Sequence, residues 1–366
     1  MRLVVSGYYG FGNLGDEAVL AGLLRAFEER GSIPRSAFTV LSAAPRDTFE
    51  RHGVAAAPRM RPASLVGALR QADLALSGGG SLLQDATSLR SLAYYLFVLR
   101  LAAAMGKPFA LVAQGLGPLR RPLARVAVRR VLNRALCITV RDEGSAQLLA
   151  RIGVSQPRIA VTADPVFALP PPDADRGRAV LKAGGAPSGP VIGLALRPWH
   201  GAKDIAALGA AAAEAIERET GLPVVLLPMH RSGDLALAED IERASGGRAR
   251  AIRPALSVED ARGVAAACEA LVGMRLHALL FAVAACVPAV AVSYDPKVAA
   301  FMREIGQDDL SLTLEEAEAG RIAEGVRRAL AERTERVAAL KAQGSALAER
   351  ARRNADLVMS AWSGRA

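Results

Sequence analysis

Short apolar runs alternate with helix-period stretches along the whole chain. In the first half, the runs at residues 3–6, 38–41, 74–76, 109–113, 138–140 and 159–161 have the length and continuous apolar character of strands buried on both faces. Residues 16–30 predict an intervening helix, stopped by Gly31. The apolar stretch 92–105 is broken by Arg100 and falls short of the ~18 residues of a membrane span, so it predicts a buried helix. Residues 169–189 are rich in Pro, Gly, Ala and charge and read as a linker. The rhythm then restarts, with strands predicted at 191–196, 224–227, 251–252, 270–272 and 289–292, and helices at 205–220 and 257–268. Beyond residue 314 the pattern predicts a charged helical tail. Such alternation predicts an α/β chain of two doubly wound, Rossmann-like domains facing across a cleft. Its 366 residues also exceed the ~250–300 at which single cores stop growing. The expected boundaries are 1–170 for an N-terminal domain, 171–189 for the linker, 190–345 for a C-terminal domain and 346–366 for the tail. Ligands of such folds bind outside the C-terminal ends of the strands, so the residues just after each strand matter most.

Composition narrows the classes. Cys137, Cys268 and Cys286 are an odd number in apolar settings without ligand spacing, which predicts small core residues in a reducing compartment. With a strand beginning at residue 3 and no secretory signal visible, a cytoplasmic protein is expected. No pairing of His with acids has zinc spacing, so no catalytic metal is expected. The formal charge of +10 admits nucleic acid, anionic lipid or anionic metabolites. Only five of the 46 basic residues are Lys, and Arg suits planar recognition of carboxylate and phosphate. Aromatic residues are not interleaved with the basic ones, so nucleic acid is not expected. Between 121 and 134, Arg121, Arg125 and Arg129 recur every four residues, flanked by Arg130 and Arg134. This basic amphipathic helix reads either as an ordinary solvated face or as a peripheral contact with anionic headgroups at the inner face of the membrane.

Candidate chemistry collects after the predicted strands. Gly273-Met274-Arg275-Leu276-His277 sets a guanidinium two residues from an imidazole at the edge of an apolar segment, and Tyr294-Asp295-Pro296-Lys297 adds a second cation. Two cations and a proton donor suit a small, highly charged substrate that must be protonated to react. The loop Gly7 to Glu17 satisfies G-x-G-x-x-G through Gly10, Gly12 and Gly15 and opens a helix. The acid that a dinucleotide site expects about 20 residues on is replaced by Ser42 to Arg46, which would suit an NADP phosphate. Asp16 would repel a pyrophosphate there and welcome a sugar hydroxyl; it reads equally as an N-cap. Gly78, Gly79 and Gly80, before Ser81, form either an anion nest or a sharp turn. Gln114, Arg141 and Arg197 end further strands, His200 lies three residues past Arg197, and His230 ends the strand at 224–227; either histidine reads equally as a solvated loop residue. His52, beside Gly53, reads as structural.

These motifs together resemble the polysaccharide pyruvyl transferase family, particularly the bacterial CsaB type. The resemblance runs from Gly7 to about Phe301. It rests on Gly-Asn-Leu-Gly-Asp-Glu, Ser-Gly-Gly-Gly-Ser, Gln-Gly-Leu-Gly-Pro, Thr-Val-Arg-Asp-Glu, Thr-Ala-Asp-Pro-Val-Phe, Gly-Met-Arg-Leu-His and Tyr-Asp-Pro-Lys in family order. It implies a fold similar to the two-domain GT-B glycosyltransferases, with the active site between the domains. It also implies transfer of pyruvate from phosphoenolpyruvate onto a sugar as a cyclic ketal, without a cofactor. In the CsaB type the acceptor is a lipid-linked saccharide containing N-acetylmannosamine, a precursor of the cell-wall polymer that anchors surface-layer proteins. His277, Arg275, Arg141 and Lys297 match positions implicated in donor binding and catalysis, and Asp16 a position near the acceptor. Asn13, Gly78, Gly79, Gly80, Ser81, Gln114, Arg197 and Asp295 are the candidates for substrate contact. Three other readings stand beside this one: a nucleotide-sugar glycosyltransferase, an NADP-dependent oxidoreductase, and a non-catalytic lipid- or polymer-binding protein.

Overall fold

The structure, a computed structural model, describes every residue except Thr87, Ser188, His200, Ala202 and Ala366. The chain forms two compact units: residues 1–11, 16–169 and 346–366 make the first, and residues 12–15 and 170–345 the second.

The first unit contains β1 (Leu3–Tyr9), α1 (Leu14–Gly31), β2 (Phe38–Ser42), α2 (Pro45–His52), β3 (Ala55–Pro58), α3 (Pro62–Gln71), β4 (Leu74–Ser77), α4 (Leu89–Ala104), β5 (Phe109–Gln114), α5 (Pro122–Leu132), β6 (Cys137–Val140), α6 (Glu143–Arg151) and β7 (Ile159–Val161). All seven strands are parallel, in the order β3-β2-β1-β4-β5-β6-β7. The central strands are mostly apolar because helices cover both faces; Val5, Leu74, Leu111 and Ile138 are fully buried. The order reverses between β1 and β4, the switch point at which doubly wound sheets bind ligands. Strand β3 is absent from the pattern reading because Ala-Ala-Ala-Pro carries no β-branched or aromatic residue and lies half-exposed at the sheet edge.

The second unit contains α7 (Ala174–Ala183), β8 (Val191–Ala195), α8 (Ile205–Thr220), β9 (Val224–Leu226), α9 (Arg231–Ala244), β10 (Ala249–Ala251), α10 (Val258–Ala266), β11 (Cys268–Gly273), α11 (Leu276–Ala284), β12 (Ala289–Ser293), α12 (Pro296–Glu304), β13 (Ser311–Thr313), α13 (Ala319–Ala331) and the start of α14 (Arg333–Ser363). Its six parallel strands run β10-β9-β8-β11-β12-β13, the same winding, with the switch point between β8 and β11.

Two expectations need correcting. Residues 171–189 are not a plain linker, for they contain α7. Asp173 caps that helix by accepting from the backbone N–H groups of Asp175 and Arg176. Gly177 lets it lie directly on α10, since a Cβ there would stand 1.9 Å from the Gly263 carbonyl oxygen. Nor is 346–366 a separate tail, because this part of α14 belongs to the first unit. Leu347, Ala351, Ala355 and Val358 are buried there. Asn354 accepts from the hydroxyls of Thr139 (2.6 Å) and Thr162 (2.8 Å) and donates to the Ala163 carbonyl, tying the ends of β6 and β7.

All three cysteines are free thiols. Burial pushes Cys137 up to about 11 and Cys268 up to about 12, so both remain protonated in the core.

Helix α1 owes its position to Gly22, where a Cβ would meet the Pro165 carbonyl oxygen at 1.9 Å. Gly22→Ala is expected to destabilise the protein by about 1–3 kcal/mol in urea denaturation. Gly67→Ala, in α3 with no atom within 4 Å of the new methyl, should instead stabilise by up to about 1 kcal/mol.

Candidate active site

Parallel strands deliver all their C-terminal ends to one edge of each sheet, and the candidate residues of each unit lie on that edge. In the first unit, Arg141 follows β6. Its Nη1 donates to the Asp164 carboxylate at 2.7 Å and its Nη2 to the Ser81 hydroxyl at 3.1 Å. Arg141 and Asp164 are both buried, so the guanidinium is held in one orientation, and Gly115 leaves it room. Ser81 therefore joins Arg141. Gln114 is wholly buried and braces the sheet, its Nε2 donating to Ser77 Oγ (3.1 Å) and to the Gly78 carbonyl (2.9 Å).

The glycine cluster does different work from an open nest. The Gly78 N–H donates to the Ser6 carbonyl within the sheet. A Cβ on Gly78 would meet the Tyr9 hydroxyl at 2.5 Å, and one on Gly79 would meet Val19 at 2.4 Å. Two of the three glycines are thus demanded by packing. Gly80 is the exception: its φ of +86° is left-handed, and its missing Cβ would lie 3.0 Å from an Asp16 carboxylate oxygen. Burial holds the Tyr9 phenol well above its usual range, and the charges of Asp16 and Glu17 push it further up.

Asp16 lies inside the first turn of α1, not at its N-cap, beside Glu17, whose carboxylate accepts from the Gly10 N–H (2.8 Å) and from His52 Nε2 (2.8 Å). Buried His52 thus supports the glycine loop and stands away from the chemistry. Ser42 is also buried, sharing a hydrogen bond with Thr48, and Arg46 pairs on the surface with Glu50. Neither is presented for an NADP phosphate.

In the second unit, Arg275 ends the turn after β11, and its Nε donates to Asp234 at 3.0 Å in a two-pronged ion pair. Asp234, fully buried on α9, also accepts from the His230 N–H at 3.0 Å. His277 stands at the second position of α11. Its ring lies against Gly15, where a Cβ would come within 2.3 Å of Nδ1. The Gly12–Gly15 segment is fixed by the Leu14 N–H donating to the Met229 carbonyl and by an Asn13–His230 bridge. The Asn13 side chain turns back to accept from the Gly15 N–H. Lys297 is the second residue of α12, on the strand exit next to that of His277. Asp295 caps the same helix by accepting from the Lys297 N–H at 3.0 Å, which commits its carboxylate locally. Arg197, after β8, donates to the Tyr294 hydroxyl at 2.9 Å, and its guanidinium rests over the rings of Tyr294 and Trp199. It has no carboxylate within ion-pair reach among the described residues. His200 lies outside the described residues. Among the described residues no group of His, Cys, Asp or Glu could hold a metal.

Four contributors escape a reading of the sequence. Asp164 and Asp234 fix the two arginines from 23 and 41 residues away, and only Asp164 falls inside a recognisable motif. Glu17 fixes the glycine loop. Arg59, only 8% exposed, follows β3 and is boxed by the rings of Phe11, Tyr94 and Tyr95, with the Gly7 carbonyl accepting at 3.3 Å. Tyr8 stacks on Phe11 at 4.1 Å, so three of the five tyrosines gather here.

Comparison with known proteins gives a family and a fold. The family model described as "Polysaccharide pyruvyl transferase" matches residues 13–296. No curated protein matches the chain. Among solved structures, the UDP-GlcNAc 2-epimerase from Neisseria meningitidis bound to UDP-GlcNAc is similar at TM-score 0.63 and 11% identity, covering 100% of both chains. The S. aureus MnaA–UDP co-structure gives 0.66 and 14%, over 96% of this chain and 94% of that one. Anabaena Alr3699/HepE in complex with UDP gives 0.61 and 14%, over 100% and 99%. At such identities the likeness shows the fold alone: two Rossmann-like units of the GT-B type.

Removing the buried carboxylate should expose its role. Asp234→Ala leaves the Arg275 guanidinium without its counter-charge and the His230 N–H without its acceptor. The expected loss of stability is about 3–5 kcal/mol, read by urea denaturation. A loss under 1 kcal/mol would mean that the pair does not hold the edge together.

Proposed function

The chain belongs to the polysaccharide pyruvyl transferase family, and we propose that it moves pyruvate from phosphoenolpyruvate onto a sugar as a cyclic ketal, releasing phosphate. The observation that carries this reading is the edge of the second sheet. There Arg275 is locked by Asp234, His277 follows two residues on, Lys297 occupies the neighbouring strand exit, and Arg197 comes from β8. The donor's phosphate bears about 1.5–2 negative charges near neutral pH, and a carboxylate adds another. Because Asp234 offsets the charge of Arg275, that residue serves as an oriented hydrogen-bond fork. Arg197, with no carboxylate in ion-pair reach among the described residues, supplies positive charge, and Lys297 adds an ammonium donor.

In the proposed reaction His277, as imidazolium, donates its proton to the methylene carbon of the enol. C2 becomes an oxocarbenium-like electrophile, and a sugar hydroxyl adds to it while Asp16 takes the hydroxyl proton. The C2–O bond to phosphate then breaks, and a second hydroxyl adds to C2 and closes the ketal, its proton passing to the departing phosphate. Lys297, Arg197 and Arg275 stabilise the departing phosphate, an effect of the kind worth about 3–4 kcal/mol at a single donor. No cofactor takes part. On the first unit the exposed ring of Phe11, stacked on Tyr8, offers a surface for the apolar face of a pyranose. The acceptor we favour is N-acetylmannosamine in a lipid-linked precursor of the cell-wall polymer that anchors surface layers, as in the CsaB type.

The second reading is a nucleotide-sugar glycosyltransferase, favoured by the solved structures of like fold that contain UDP or UDP-sugars. The oxidoreductase reading loses support from the burial of Ser42 and the pairing of Arg46. A non-catalytic binding protein leaves the cations and imidazole of the second unit without a task.

Phosphate release from phosphoenolpyruvate, followed with a panel of mannosaminyl acceptors that includes a synthetic prenyl-diphosphate disaccharide, tests the proposal. The product should be heavier by a ketal-linked pyruvate, and His277→Ala should lower kcat by about 10²–10⁴. Near-normal turnover by that variant would remove the imidazole from the acid role. Release of UDP or GDP from a nucleotide sugar would establish the second reading.

A further inference from the structure

The chain's excess positive charge lies in one stretch. From Ala86 to Arg141 there are ten Lys and Arg and no Asp or Glu, which leaves 36 basic against 36 acidic residues elsewhere. This stretch forms α4, β5, α5 and β6. The two strands are buried, so its cations fall mostly on the two helices and the turns beside them. Helix α4 exposes Leu89 (45%), Arg90, Phe97 (54%) and Arg100. It packs against α5, which exposes Leu123 (84%) between Arg121 and Arg125.

Helices α5 and α6 line an open cavity of about 480 Å³. Half-buried Val126, Leu148 and Ile152 give it an apolar floor, and exposed Arg125, Arg129 and Arg151 rim it. None of the three arginines has a carboxylate within ion-pair reach among the described residues.

A face that served only to meet water would mix acids with its bases, because like charges four residues apart on a helix repel each other. Here the repulsion is left standing and apolar side chains sit among the cations. Nucleic acid would call for several rings to stack bases, and Phe97 is the only ring exposed in the stretch. Leucine, phenylalanine and arginine side by side match the boundary between lipid headgroups and acyl chains. Among the described residues no helix is long and apolar enough to cross a membrane, so the match is to a surface.

We propose that the α4–α5 face docks this chain on an anionic lipid bilayer, with a lipid phosphate seated in the α5–α6 cavity between Arg125, Arg129 and Arg151. This goes beyond the transferase reading and does not depend on it.

The test is sedimentation of the full-length protein with vesicles, in the absence of donor and acceptor. The protein should pellet with phosphatidylcholine vesicles containing phosphatidylglycerol and stay in solution with phosphatidylcholine alone. Raised salt should release it. Each surface arginine contributes roughly fivefold to such binding, so Arg125→Ala with Arg129→Ala should weaken it by roughly 25-fold. Leu123→Ser should weaken it further. These variants should keep the wild-type circular dichroism and melting temperature. Failure to pellet with anionic vesicles, or equal binding to neutral ones, overturns the proposal. So does displacement by inorganic phosphate at matched ionic strength, which marks a free-phosphate site, or tighter binding to a single-stranded oligonucleotide. Any of these outcomes leaves the transferase reading untouched, since no turnover is measured.

Discussion

An arginine clamped by a carboxylate that has itself left water is the arrangement on which both candidate edges depend. Arg141 with Asp164, and Arg275 with Asp234, repeat it at the C-terminal edges of the two parallel sheets. Each pair costs desolvation, so its contribution lies less in net stability than in fixing where a planar donor points. Removing either carboxylate would leave a charge stranded beneath the surface. The pairs are also close to neutral, so a ligand's negative charge has to be met by other cations. In the second unit Lys297 and Arg197 stand at the ends of the two strands that flank β11.

The same winding in both sheets explains why these groups fall where they do. When every strand is parallel, every strand exit lies on one edge, and the reversal of order beside β1 and β8 opens a place for a ligand. Helix starts at those exits then set the side chains. His277 and Lys297 each occupy the second position of a helix, and the cap of the latter helix is Asp295. Glycine matters here chiefly as space. Gly15 leaves room for the His277 ring, Gly115 for Arg141, and Gly78 for the Tyr9 phenol.

Much of this could be read from residue order alone, for physical reasons. Strands buried on two faces write themselves as unbroken apolar runs, so the central strands were visible, whereas the edge strands β3 and β13, short and partly exposed, carry no such mark. The helix inside 171–189 was hidden because its face is small: Gly177 meets Gly263, and no apolar stripe announces it. Cations after strands stood out against apolar sequence. Their anchoring carboxylates did not, since Asp164 and Asp234 lie on other elements and gain meaning only when the chain folds. Arg59 was invisible for the same reason, its aromatic box coming from two segments distant in sequence, the loop at Phe11 and helix α4. Asn354 looked like part of a charged tail, yet it closes a buried polar network under β6 and β7.

The central claim is chemical: the donor is an enol phosphate activated by a proton from the protein. Running the reaction in deuterium oxide and reading the product by mass spectrometry tests it most directly. The account predicts a single solvent deuterium in the ketal methyl group, appearing in step with released phosphate. A product methyl group free of solvent deuterium would contradict it.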